Sequence, residues 1–386
     1  MRLAYYCLFV SFLASSGFII FTCQRVGRIN VIDFMTVVQE QDSSTAFADL
    51  RTASVENPEQ VCHEVEGAEF RIFCPFFQIV TDPQVLHAPE DWITRLAARF
   101  SWLDSITAEQ DSRSVETRSQ AAYFEFLEMY VTGLCFGAAE YSIEPSFGPP
   151  TKVALNEDRR RGGLDWAYLG DTMTGSLRIK SVRGLLQDVF SKNISGHFIE
   201  TGVWRGGMSI FARGVIRAMN QTHRKSFVCD SFRGLPPGDR DLDNQDKGWD
   251  NMPYLAVADE IVAGNFKAAG VLDPNVIFVK GFFKDSMPEL AKMIDSLAIM
   301  RLDGDMYEST VDVLYHLYGK LSIGGYVIMD DWTGFPSRTA CLDFFSAHGI
   351  SPSVILVDDL SAYWQKNEHV DIQYWRYEQL KFKSEA

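Results

Sequence analysis

Clustered basic residues are scarce in this chain of 386 residues: the only tight run is Arg159-Arg160-Arg161, and the formal net charge is −15. That excludes a nucleic-acid backbone as the main partner, because a phosphate footprint needs a concentrated patch of Lys and Arg. Cysteine is thin as well, with seven residues in all, too few for a disulfide scaffold at this length. Cys62 and Cys74 lie close together in a loop-rich region and leave a bridge open, whereas Cys229 and Cys341 fall in apolar runs that read as core. Internal repeats and low-complexity tracts are absent. With 46% hydrophobic and 23% charged residues, the composition is that of a globular chain able to build a full core. The G-x-G-x-x-G dinucleotide fingerprint is also missing, which disfavours a nucleotide-dependent oxidoreductase.

Charge is missing from one further place. Leu3 to Cys23 carries no Asp, Glu, Lys, Arg or His and is rich in Leu, Phe, Ile and Tyr, until Gln24, Arg25 and Arg28 end it. A run of this length is enough to cross a bilayer. A membrane anchor and a cleaved signal peptide compete here; the apolar run continues past the small residues Ala14-Ser15-Ser16, which favours a transmembrane helix as anchor. The expected location is therefore single-pass in the secretory or endomembrane system, with secretion after cleavage as the alternative. Sequons at Asn193 and Asn220 agree with that route.

Further along, the chain divides by pattern. Residues 1–28 form the anchor or signal, and 29–115 form a stalk or added region with no strong period beyond an amphipathic stretch over 92–100. Residues 116–195 read as a helical cap, with Tyr123, Phe124, Leu127, Tyr130, Val131 and Leu134 at helical spacing. Residues 196–386 alternate short apolar strands (197–199, 226–229, 276–279, 298–302 and 325–329) with helical patterns, and two late runs, 354–357 and 362–364, close the sheet antiparallel. This predicts an α/β, doubly wound, mostly parallel Rossmann-like sheet.

In such sheets ligands bind beyond the carboxyl ends of the strands. Two strands end there in acids, Asp303 and Asp305 after the first and Asp330 and Asp331 after the second. Like charges converging in one crevice need a cation or shared protons, and a hard divalent ion such as Mg²⁺ is the economical answer. Bland roles compete: Asp305 with Glu308 resembles a capping box, and Asp331 would cap the next helix.

The strand from His197 runs into Glu200-Thr201-Gly202-Val203-Trp204-Arg205-Gly206-Gly207, a glycine-bearing turn into a helix. Glu200 stands where a pyrophosphate would lie and repels it, yet it welcomes the sulfonium and ammonium of S-adenosylmethionine. Asp230, followed by Ser231, ends the next strand in position for ribose hydroxyls. The segment Gly281 to Pro288 offers an aromatic wall with Asp285 and Ser286 for an adenine. Thr172, Met173 and Gly175 fall on a loop leading into the sheet. The Asp-dense segment from Pro237 to Pro253 reads as a lid or a solvated loop, with Trp249 and Tyr254 available to a sugar face.

The motifs 200–207, 230–236 (Asp-Ser-Phe-Arg-Gly-Leu-Pro), 302–310 (Leu-Asp-Gly-Asp-Met-Tyr-Glu-Ser-Thr) and 330–332 (Asp-Asp-Trp) resemble, in register, the macrocin O-methyltransferase (TylF-like) family, which also includes aminocoumarin sugar methyltransferases. The resemblance runs from about Tyr123 to Trp364. It implies a Mg²⁺-dependent transfer of methyl from S-adenosylmethionine to a sugar hydroxyl. Carried onto this chain it makes Asp303, Asp330 and Asp331 metal ligands and Asp305 the candidate base, with Thr172, Met173 and Gly175 in the segment that closes over the cofactor. Thr201, Gly202, Trp204, Arg205, Ser231, Asp285, Ser286 and Asp303 join Glu200 and Asp230 as cofactor contacts. The implied partner is a small-molecule or glycan acceptor with vicinal hydroxyls. An inactive methyltransferase-like binding protein and an enzyme acting on a phenolic diol are the alternatives.

Overall fold

A computed structural model describes residues 6–12, 19–24, 117–136, 140–142, 151–238, 246–248 and 252–382. The chain divides into two compact units, Met1–Ser101 and Trp102–Ala386. In the first unit, strands β1 (Tyr6–Phe12) and β2 (Ile19–Gln24) pair antiparallel. The single transmembrane helix expected over this stretch is therefore corrected at those residues, where Tyr, Phe, Val, Ile and Thr favour strands. Among the described residues no helix is long and apolar enough to cross a membrane. The Cys62–Cys74 pair, the stretch 92–100 and Trp249 lie outside the described residues.

The second unit opens with helix α1 (Arg118–Val131), whose start is fixed by a capping box between Thr117 and Gln120. A small hairpin, β3 (Glu140–Ser142) with β4 (Thr151–Val153), precedes the short α2 (Glu157–Gly162) and then α3 (Ser176–Ser191). From there the chain alternates: β5 (His197–Thr201), α4 (Gly207–Ala218), β6 (Ser226–Asp230), α5 (Asp259–Ala268), β7 (Val276–Lys280), α6 (Phe283–Met293), β8 (Leu297–Leu302), α7 (Tyr307–Leu317) and β9 (Leu321–Met329). Helix α8 (Pro336–His348), the strands β10 (Ile355–Leu356) and β11 (Ala362–Gln365), and helix α9 (Tyr374–Phe382) complete it.

The strand order is β10-β11-β9-β8-β5-β6-β7, with β5 to β9 parallel and β10 and β11 antiparallel. The doubly wound, mostly parallel sheet expected from the alternation is thus the one observed. Both faces are covered, as a parallel sheet requires. One face packs Ile199, Cys229, Met300, Leu302 and Met329 against α6, α7 and α8, with Trp364 fully buried beside them.

Strand pleating then decides the site. Successive side chains alternate faces, so with Ile199, Met300 and Leu302 in that core, Glu200 and Arg301 point to the opposite face. The register pairs Glu200 with Arg301 and Arg301 with Ile328. Asp303 and Asp330, each two residues further on, emerge side by side on that same face, at the point where the chain order reverses between β5 and β8.

Candidate active site

The carboxyl ends of β5, β8 and β9 form a corner built around Arg301, which is almost fully buried. One of its terminal nitrogens bonds both Glu200 and Asp303, the latter at 2.7 Å, and the other lies 2.6 Å from Asp330. Arg178, on α3, holds the second oxygen of Asp330 at 2.7 Å and Asp358 at 2.6 Å. Burial works against the charge on Asp330, but the two guanidinium groups outweigh it and keep its pKa below the ordinary carboxylate range. Glu200, which also accepts from Ser209 Oγ, is pushed up to about 7 by burial, with Arg301 opposing.

Asp305 and Asp331 meet no guanidinium. Asp331 accepts the backbone N–H of Asp305 at 3.1 Å. Burial, then repulsion from Asp303 and Asp330, raises Asp305 to about 8, and burial with repulsion from Asp305 raises Asp331 well above its usual value. Asp305 also adopts φ 56°, a left-handed conformation uncommon outside glycine. Strain of this kind persists only where the surroundings impose it; here the backbone of Asp305 is tied to Asp331 on one side and, through Ser337 N–H at 3.3 Å, to α8 on the other. Asp303, Asp330 and Asp331 each offer an oxygen, all within 4.8 Å of one another.

The corner opens onto a cavity of about 460 Å³. Its floor is the turn after β5, where Gly202 (φ 86°) passes so close to β8 that a Cβ would fall 1.7 Å from the Asp303 carbonyl oxygen. Asp230 organises that turn, accepting from Val203 N–H and Phe232 N–H at 2.8 Å each. Thr172, Met173, Glu200, Gly202, Trp204, Asp230, Ser231, Asp303, Asp305, Asp330 and Asp331 all line the cavity.

Thr201, Arg205, Asp285 and Ser286 are outside that lining. The hydroxyl of Thr201 turns to the Arg301 carbonyl, and Arg205 donates to the carbonyls of Ala167, Tyr168 and Gly170. Asp285 and Ser286 sit in the first turn of α6, where Asp285 is exposed and Ser286 Oγ bonds the carbonyls of Gly281 and Phe282. The segment Gly281 to Pro288, expected to present these polar atoms to an adenine, is helical from Phe283 onward and carries the proline inside the helix. The ring of Phe283 and its neighbour Phe282 do line the cavity. Three further lining residues escape motif reading: Arg178, Arg301 and Trp166, the last with its ring centroid 4.7 Å from that of Tyr254. An arginine in the middle of the apolar run 298–302 is the one signal available, since a buried charge in a strand demands an acidic neighbour.

A mostly parallel sheet with a reversed C-terminal strand, a glycine turn after β5 and a cavity at the switch point defines a Rossmann-like α/β methyltransferase. The fold agrees with the structure of the O-methyltransferase NovP, with a TM-score of 0.59 at 34% identity over 64% of this chain and 99% of that one. The family model for macrocin-O-methyltransferase (TylF) matches residues 145–366, and the chain belongs to that family. It is 40% identical over 218 residues to demethyldecarbamoylnovobiocin O-methyltransferase of Streptomyces niveus, covering 54% of this chain and 81% of that protein. It is 36% identical over 246 residues to 8-demethyl-8-(2,3-dimethoxy-alpha-L-rhamnosyl)-tetracenomycin-C 4'-O-methyltransferase of Streptomyces olivaceus, covering 63% and 92%. The chain is an O-methyltransferase.

Proposed function

We propose that the protein transfers a methyl group from S-adenosylmethionine to a hydroxyl of a sugar or glycoconjugate, with Mg²⁺ held at the acidic corner. The observation that carries this reading is the placement of Asp303, Asp305, Asp330 and Asp331 on one wall of the same cavity whose floor is the Gly202 turn. The rhamnosyl acceptor in the name of the tetracenomycin relative supports a sugar as acceptor.

A divalent ion fits the corner on chemical grounds. The carboxylates there outnumber Arg178 and Arg301, and burial first, with repulsion from the neighbouring carboxylates after it, raises the pKa values of Asp303, Asp305 and Asp331. Hard oxygen donors in this number suit Mg²⁺. Asp303, Asp330 and Asp331 would hold it; bound there, it would acidify and orient an acceptor hydroxyl. Asp305, on the strained turn beside them, accepts the hydroxyl proton as general base, a role for which a pKa near the working pH is suited. Glu200 and the Gly202 turn receive the cationic, phosphate-free methyl donor, and Asp230 stands at the ribose end. Trp166, Tyr254 and Phe335 exclude water from the transfer.

Isothermal titration with S-adenosylmethionine, with and without Mg²⁺, tests the binding half. Mass spectrometry of glycans and lipids from cells lacking the protein, looking for species about 14 Da lighter, tests the acceptor. Absence of donor binding would reject the scheme. The apolar stretch at residues 3–23 supports membrane association or secretion, which fractionation of the full chain with and without carbonate extraction decides.

A further inference from the structure

The basic run Arg159-Arg160-Arg161 has no part in the chemistry described so far, yet its middle member is the most buried charge in the helix that carries it. Arg160 is 0% exposed. Its guanidinium reaches across α2 to the segment 163–175 that forms one side of the cavity. One terminal nitrogen bonds the carboxylate of Asp165 at 2.9 Å and its carbonyl at 2.5 Å, and the other bonds the carbonyls of Met173 at 2.7 Å and Thr174 at 2.8 Å. Both ends of the segment are thereby tied to one planar group. Arg205 ties the middle through Ala167, Tyr168 and Gly170.

The segment is pressed against the cavity floor as well as tied. Gly207 donates its N–H to the Asp171 carbonyl at 2.8 Å, and a Cβ on Gly207 would lie 2.5 Å from the same residue's backbone. Thr172, Met173 and Thr174 consequently face the cavity from a strap whose N–H groups at Asp171 and Thr172 bond the Val131 carbonyl, at 2.7 and 3.0 Å, while its carbonyls at 165, 167, 168, 170, 173 and 174 are held by the two arginines.

We infer that Arg160 is a positioning residue for the methyl donor: it holds the 163–175 strap as a preformed wall, and it sets affinity for the donor rather than the rate of transfer. The inference rests on the reading that this cavity takes S-adenosylmethionine. A lysine cannot substitute, because a single ammonium lacks the planar fork that spans Asp165 and the 173–174 carbonyls together. Carbonyls left without donors would let the strap drift, at the expense of every contact it offers.

The test uses the full chain and S-adenosylhomocysteine as probe. In Arg160→Lys the dissociation constant for S-adenosylhomocysteine rises about tenfold or more, the ratio that one unsatisfied buried polar group corresponds to. Amide hydrogen exchange across 163–175 accelerates, while kcat at saturating donor stays near the wild-type value. Arg213→Lys serves as control: Arg213 is equally buried but pairs with Asp273 at 2.8 Å, away from the cavity lining. It lowers thermal stability and leaves donor affinity unchanged. If Arg160→Lys does not fold, Arg205→Lys releases the middle of the same strap and is expected to weaken donor binding likewise. Wild-type affinity in these strap variants, with unaltered strap exchange, overturns the inference alone. Wild-type protein that binds no S-adenosylhomocysteine overturns the donor reading and this inference together.

Discussion

Replacing Asp305 by asparagine should stabilise the metal-free protein while abolishing turnover. Asparagine is nearly isosteric and is among the few residues that accept the left-handed backbone seen at φ 56°, so the change removes charge with little added strain. The native carboxyl holds its proton up to about pH 8, whereas the unfolded chain releases it near pH 4. Stability from this group is therefore complete below pH 4 and is lost as the pH climbs through 8. Each pH unit in that window costs about 1.4 kcal/mol, which sets a ceiling near 6 kcal/mol. Asp303 and Asp331 share the same field, so about 2 kcal/mol is the expected gain at pH 8, with little difference at pH 4. In thermal unfolding with a chelator present, that corresponds to a midpoint about 4–8 °C higher for Asp305→Asn at pH 8. Mutant and wild-type curves that run parallel from pH 4 to pH 8, or a variant less stable at pH 8, would refute the electrostatic reading of this corner.

Asp330 is the acid that both guanidinium groups hold, so Asp330→Asn should destabilise, but by less than the roughly 3–5 kcal/mol of a stranded buried charge, because Arg301 keeps Glu200 and Asp303 and Arg178 keeps Asp358; denaturant unfolding checks this. Asp246 caps α7 by accepting Tyr307 N–H at 2.7 Å and Glu308 N–H at 2.8 Å. Asp246→Ala should therefore cost about 1–2 kcal/mol, with Asp246→Asn recovering part of it in the same melt. Gly202→Ala drives a methyl into the Asp303 carbonyl and should cost about 4 kcal/mol or prevent soluble expression; normal donor binding by that variant would contradict the packing described. Chelation should bring methyl transfer to background and added Mg²⁺ should restore it, as a radiolabel transfer assay would read.

Strand and helix periods carry the architecture well, because a parallel sheet covered on both faces writes its strands as short apolar runs and its crossovers as amphipathic ones. Asp303, Asp305, Asp330 and Asp331 are legible for the same reason, each standing just beyond such a run. The arginines are not. Arg178 belongs to an ordinary helical pattern, and Arg301 gains its meaning only from the register that sets Glu200 beside it, which no single strand reveals. Asp285 and Ser286 mislead in the other direction: they follow a strand as cavity residues would, but the chain turns into a helix at Phe283 that leaves Asp285 exposed and ties Ser286 Oγ to the carbonyls behind it. Tyr6–Phe12 and Ile19–Gln24 show the limit of hydropathy alone, which measures how apolar a run is and is silent on whether it coils or extends.

The near-contact between Gly202 and the Asp303 carbonyl joins the turn proposed to receive the donor and the acidic corner into one block. Evolution or engineering toward new acceptors cannot retune these two parts separately, because any shift of the corner drags the donor with it. Diversity in what is methylated is then expected from the rest of the lining, Leu235, Pro236, Met252, Tyr254 and Leu255 together with Phe335 and Leu360, which face the same space. Libraries confined to those positions are the economical route to altered acceptor choice with transfer chemistry preserved.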